Sequence, residues 1–264
     1  MNKLRKPATF SIGRITFLVD IDKQVLRQSN DSSNEISFIT QMTDFGDHYI
    51  LAWDPVARNA GSDPEKVKSI IVPPLVALDP KGMSEKYRIP IDRLEGKSDF
   101  EIIVDQHALY HRLNGTLPQI NIGGEMFAIN LRDHDLRHSP NFSHMISLKS
   151  FELTNDGWNY EAFYHPVMKQ VVGIDPKLTE FPEGVVKIRI PNEIGLDPVG
   201  TARIYGMDER ALLRRYPIQV VRKAEIIPLS ETNIPELIRR NREALREEHR
   251  QNMERAKPRF RPKF

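Results

Sequence analysis

Cysteine is absent from the 264 residues, which removes disulfides, thiolate nucleophiles and every Cys-ligated zinc or iron–sulfur site in one step. Long apolar runs are missing as well. No stretch approaches the roughly 20 consecutive apolar residues that span a bilayer, and Met1 to Pro7 lacks the apolar core of a secretory signal. A cytoplasmic location is therefore expected, with no membrane partner. The phosphate-cradling patterns GxxxxGK[ST] and GxGxxG do not occur, and neither does the GxSxG nucleophile elbow. Those absences weigh against nucleotide-dependent and serine-hydrolase chemistry, and no cofactor is expected.

What is present is an ordinary supply of core-forming residues: 39% apolar beside 28% charged, enough to fold and too apolar for wholesale disorder. The net charge of +2 conceals an asymmetry. Residues 234–264 hold ten Lys and Arg against five Glu, a surplus of five, so the rest of the chain stands at −3. Only the C-terminal end is basic.

The length fits one large or two modest domains, and internal self-similarity decides between them. Residues 10–28 (FSIGRITFLVDIDKQVLRQ) align without gaps to 120–138 (INIGGEMFAINLRDHDLRH), sharing Ile12/Ile122, Gly13/Gly123, Phe17/Phe127, Leu26/Leu136 and Arg27/Arg137. The register continues to Ile36-Ser37 and Ile146-Ser147, and one inserted residue later Tyr49…Trp53-Asp54-Pro55 meets Tyr160…Tyr164-His165-Pro166. Further on LVALDPK (75–81) answers VVGIDPK (171–177), Tyr87-Arg-Ile-Pro90 answers Ile188-Arg-Ile-Pro191, and DQHALYHRL (105–113) answers DERALLRRY (208–216).

Period-two alternation of Phe10, Ile12, Ile15, Phe17, Val19 and Ile21 about Gly13 reads as a hairpin, with glycine supplying a positive φ at the turn. Further strands are expected near 35–42, 48–53, 145–152 and 159–164, and short helices over 105–113 and 208–216. Residues 56–72 read as a polar insertion confined to the first copy. The stretch YPIQVVRKAEII repeats the character of LPQINI and is expected to close a sheet edge.

The expected fold is mainly β (α+β). Two tandem pseudo-equivalent β-rich units, each with a short helix, occupy 8–116 and 117–229, the second with its closing strand. A C-terminal charged helix and basic tail fill 230–264. Asn233-Ile-Pro-Glu236 carries the signature of a helix start. Beyond Leu245 the apolar stripe thins, and the helix is expected to project.

Candidate chemistry is sparse. The segment RDHDLRHSPNFSH offers His134, Asp135, His138 and His144 as metal ligands, at a spacing that permits a site without specifying one. Three of the corresponding positions in the first copy are Gln24, Val25 and Gln28, so a metal site would be confined to the second. His107 and His111 stand i, i+4 on a predicted helix, yet their counterparts are Arg210 and Arg214, which favours polar surface positions over ligands. At the C-terminal end Arg250, Arg255, Lys257, Arg259, Phe260, Arg261, Lys263 and Phe264 interleave cations with aromatics, a composition that fits a protein groove or the phosphates and bases of a nucleic acid.

These features favour a non-catalytic binding or assembly protein. Its groove between repeats and its basic tail would engage a protein or nucleoprotein partner, or a second copy of the chain. A metal-dependent hydrolase confined to the second unit and a nucleic-acid-binding protein acting through the tail are the alternatives.

Overall fold

The computed structural model describes residues 6–139 and 144–256. It is β-rich, with four sheets, and its contacts divide the chain into two units. The first comprises residues up to His111 together with Arg210–Ile218. The second comprises Arg112–Glu209 together with residues from Gln219 on.

Unit 1 opens with a four-stranded antiparallel meander of β1 (Thr9–Ile12), β2 (Ile15–Asp20), β3 (Val25–Gln28) and β4 (Glu35–Ser37). Gly13 turns the first hairpin at φ +61°, a conformation that a Cβ would penalise. The second sheet is centred on β6 (Tyr49–Asp54), which pairs with β5 (Met42–Asp44), β7 (Asn59–Ala60) and β8 (Lys68–Val72). Alternation sends Tyr49, Leu51 and Trp53 inward, and Trp53 meets Phe17 of β2 edge to face at 5.9 Å, so one apolar layer serves both sheets. Helices α1 (Leu75–Leu78), α2 (Pro80–Tyr87), α3 (Asp99–Ile103) and α4 (Gln106–Leu113) follow.

Unit 2 runs through the same order of strands as far as its second short helix. Strands β9 (Gln119–Ile122), β10 (Glu125–Asn130), β11 (Asp135–His138) and β12 (Met145–Ser147) form the meander. In the second sheet β14 (Asn159–His165) pairs with β13 (Glu152–Leu153), β15 (Gln170–Val171) and β16 (Val186–Pro191). The short helices α5 (Glu193–Leu196) and α6 (Pro198–Ile204) come next. Strand β17 (Val221–Lys223) then adds in parallel to β9, and β18 (Glu225–Ile227) adds antiparallel to β16, so one segment covers an edge of each sheet. The core is built from Phe127, Ile129, Leu136, Tyr164, Ile188 and Ile190 among others. Helix α7 (Ile234–Ala256) ends the described chain.

Three expectations from the sequence are corrected. First, LVALDPK at 75–81 is not matched by 171–177, which is the end of β15 and a loop. It forms the junction of α1 and α2, and its structural counterpart is EIGLDPV at 193–199, the junction of α5 and α6. Asp79 and Asp197 each cap the second helix of the pair, accepting from Gly82 N at 2.9 Å and Gly200 N at 3.0 Å, with Pro80 and Pro198 in the first turn. Likewise Tyr87–Pro90 leaves a helix, whereas Ile188–Pro191 is strand. Second, 208–216 is a run of turns rather than a helix, while 105–113 is helical from Gln106. Third, residues 56–72 are no insertion, because they contain β7 and β8. The longer loop lies in unit 2, at 172–185 between β15 and β16, against 61–67 in unit 1.

Candidate functional site

The histidine-rich hairpin of unit 2 does not converge on a point. His134 stands at the β10–β11 turn with φ +53° and is exposed, and Gln24 occupies the matching turn of unit 1 at φ +55°, so the position is defined by backbone shape. Asp135 is held by Arg137, whose Nε lies 3.0 Å from its Oδ1. His138 and His144 are brought together, with ring centroids 5.8 Å apart and the His138 N–H donating to the His144 carbonyl at 2.8 Å. Among the described residues no three His, Cys, Asp or Glu side chains are grouped so as to hold a metal ion. His107 and His111 are exposed on α4, with their Nε2 atoms 3.1 Å apart.

No local signal in the chain points to the group that His138 does join. Its Nε2 lies 2.8 Å from Glu125 Oε2, and Glu125 Oε1 lies 3.0 Å from Lys169 Nζ. The His138 ring is buried against Phe127, whereas Glu125 is more open. His138 and Lys169, both hydrogen-bonded to it, hold the Glu125 carboxyl below the usual carboxylate range. Close by is the Tyr164 hydroxyl, fully buried and without a hydrogen-bond partner among the described residues. Burial, with the Glu125 charge adding to it, pushes that phenol up to about 12. An ion pair with a neighbouring neutral phenol can order a turn. It presents no nucleophile activated by a base.

In unit 1 a buried polar cluster surrounds Asp99. Pro74 precedes α1 and has no side chain to cap it. Asp99 performs that task from α3, its Oδ2 accepting from Leu75 N at 2.8 Å and its Oδ1 from Val76 N at 2.9 Å. Tyr49 donates its hydroxyl to the same carboxylate at 2.8 Å. Arg214, from the returning segment, covers the cluster. Its guanidinium bonds Asp44 at 2.9 Å, Gln24 at 3.0 Å and the Tyr49 oxygen, and lies 5.2 Å from the centre of the Tyr49 ring. Burial above all pushes the Tyr49 phenol up, far beyond the range in which it would ionise in the folded protein. These side chains bond one another, Arg214 Nε being buried without a hydrogen-bond partner among the described residues, and the cluster fastens 210–218 to the rest of unit 1.

Each unit also carries a cleft at the same place, between the β2–β3 or β10–β11 turn and the second short helix. In unit 1 it measures about 520 Å³ and includes Asp20, Asp22, Gly82, Glu85 and Lys86. In unit 2 it measures about 490 Å³ and includes Asn130, Arg132, Gly200, Arg203, Ile204 and Arg112. The two share their geometry and differ in charge: where unit 1 has Asp22, Glu85 and Lys86, unit 2 has Arg132, Arg203 and Ile204.

Of the tail residues, Arg250 lies on α7 and is exposed, its Nη2 2.9 Å from Glu247. Arg255 belongs to the last turn of that helix. Lys257, Arg259, Phe260, Arg261, Lys263 and Phe264 lie outside the described residues. Comparisons with protein-family profiles, with curated proteins and with solved structures return no match to this chain.

Proposed function

We propose that the chain is a non-catalytic binding or assembly protein, built from two copies of one β-rich unit and engaging a protein partner through the exposed length of α7 and the basic residues that follow. The observation that carries this reading is the way α7 is used. Ile234 and Ile238 are buried against Leu229, Asn241 donates to the carbonyls of Pro176 and Leu178, and Arg242 donates to that of Thr179. From Glu243 to Glu254 every residue is exposed, Leu245 and Met253 among them. A helix anchored at one end and solvated over its remaining turns contributes little to its own fold, and short helices are marginal in water without a packing partner. Its apolar residues are therefore available to another surface.

Duplication is supported by the parallel element order, by the paired Asp-Pro caps and by the matching clefts. The polar residues that differ between the units are mostly spent on caps, turns and ion pairs, which is why no reaction is assigned to them.

The test compares the full chain with one ended after Arg242, immobilised and offered the same cell extract. The full chain is expected to retain a partner, or a second copy of itself, that the shortened chain loses. Equal retention by both would refute the reading. Retention that collapses steeply with added salt and is removed by nuclease would transfer it to nucleic acid.

A further inference from the structure

The matching clefts differ in a way that follows from a few substitutions. In unit 1 the cation of the cleft is spent on the protein's own oxygens. Lys86 reaches across from α2 and donates to the carbonyls of Ile21 at 2.9 Å and Asp22 at 3.2 Å, and its ammonium stands 3.4 Å from the Asp22 carboxylate. Arg27 is taken by Asp20 and Glu35, so the cations at that site are already neutralised.

In unit 2 the residue at the position of Lys86 is Ile204, which cannot make those bonds, and the turn carries Arg132 in place of Asp22. Arg132 is exposed and makes no ion pair or hydrogen bond among the described residues. Below it Arg112 is held rigidly by Asp197, and Arg203 pairs with Glu209 at 2.6 Å on a partly exposed surface where water competes. Leu117, Leu131 and Ile204 give the cleft an apolar wall. Its volume falls within the range that holds small ligands.

We infer that the cleft of unit 2 is a binding site for a small organic anion, a phosphate ester or carboxylate with an apolar body, recognised by Arg132 with Arg203 and Arg112 behind it. Guanidinium groups meet such oxygens in bidentate fashion, and the apolar wall takes the rest of the molecule. The site is independent of whatever α7 engages.

The test titrates the full chain with phenyl phosphate by calorimetry, with benzoate and inorganic phosphate as separate arms. Saturable one-to-one binding of phenyl phosphate or benzoate, tighter than that of inorganic phosphate, is expected. Arg132→Ala, at an exposed position without contacts, should weaken it about ten-fold, the loss of a charge-assisted hydrogen bond. Ile204→Ser, which removes part of the apolar wall, should weaken binding of the organic anions as well, with the circular dichroism spectrum and unfolding midpoint unchanged by Arg132→Ala. Absence of saturable binding by any of the three probes in the millimolar range would overturn the inference. So would binding that neither substitution alters, or affinity for inorganic phosphate equal to that for the organic anions.

Discussion

Arg112 lays its guanidinium on both carboxylate oxygens of Asp197, with Nε 3.0 Å from Oδ1 and Nη2 2.7 Å from Oδ2, and the pair is buried. The same carboxylate caps α6 through Gly200 N. Removing one partner strands a buried charge, so Arg112→Ala is expected to cost about 3–5 kcal/mol in urea unfolding. Removing both, as Arg112→Met with Asp197→Asn, should cost less than the sum. Gly200→Ala should also destabilise, because an added Cβ would overlap the Asp197 carboxylate. Strict additivity in the double variant would show that the two side chains do not act as a pair.

Asp99 and Tyr49 make a graded test of the unit 1 cluster. Tyr49→Phe deletes one buried hydroxyl and should cost about 1–2 kcal/mol. Asp99→Ala leaves Leu75 N, Val76 N and the Tyr49 hydroxyl without their acceptor and Arg214 with Asp44 as its remaining counter-charge. It should cost about 3–5 kcal/mol, well beyond the tyrosine variant. Equal losses in thermal unfolding would mean that the carboxylate is no cap.

Tyr164 is predicted to behave in the opposite sense. Its hydroxyl is buried and unpartnered among the described residues, so Tyr164→Phe removes a desolvation penalty and loses no hydrogen bond. The variant is expected to be as stable as the parent or more stable by up to about 1 kcal/mol. In a spectrophotometric titration of the parent, one phenol should ionise near pH 12 and be missing from the variant.

Glu125 gives a pH signature. Its folded-state pKa is depressed by His138 and Lys169, so its contribution to stability is complete above the unfolded carboxyl value of about 4.3 and is lost as pH falls through the lower folded value. The stability gap between the parent and Glu125→Gln should therefore be constant at neutral pH and close below about pH 4. Carboxyl chemical shifts followed by NMR would report the depressed midpoint directly. A midpoint at or above that of a free glutamate would refute the assignment.

The meanders were legible because period-two alternation and glycine turns are local signals, and Phe17/Phe127 and Gly13/Gly123 fall at equivalent points of the two sheets. The helical region was misaligned because two Asp-Pro dipeptides follow Gln170 and both suit a turn. The structural one is 197–198, and the distinguishing mark is the glycine three residues after the aspartate, which lets the carboxylate approach the helix backbone. Asp175 is followed at that distance by Leu178, and it serves a loop through Lys177 N. The helix expected over 208–216 failed because its side chains are drawn into long-range bonds, Arg214 above all, and tertiary contact overrode local propensity. The clefts were invisible for a related reason. Arg132 and Arg203 are far apart in the chain, and their opposition to Asp22 and Glu85 emerges only after the helices are correctly paired.

The segment carrying Arg214 also sets an order of events during synthesis. The pocket of Tyr49, Asp44 and Gln24 leaves the ribosome long before the guanidinium that fills it, because 165 to 190 residues separate them, which takes about 8–40 s at ordinary elongation rates. Unit 1 is thus sealed only after most of unit 2 has been made, and just before the strands that complete unit 2 appear. A nascent chain arrested before Ile218 would hold its N-terminal half in an unfinished state, with the Asp99 carboxylate still awaiting a cation.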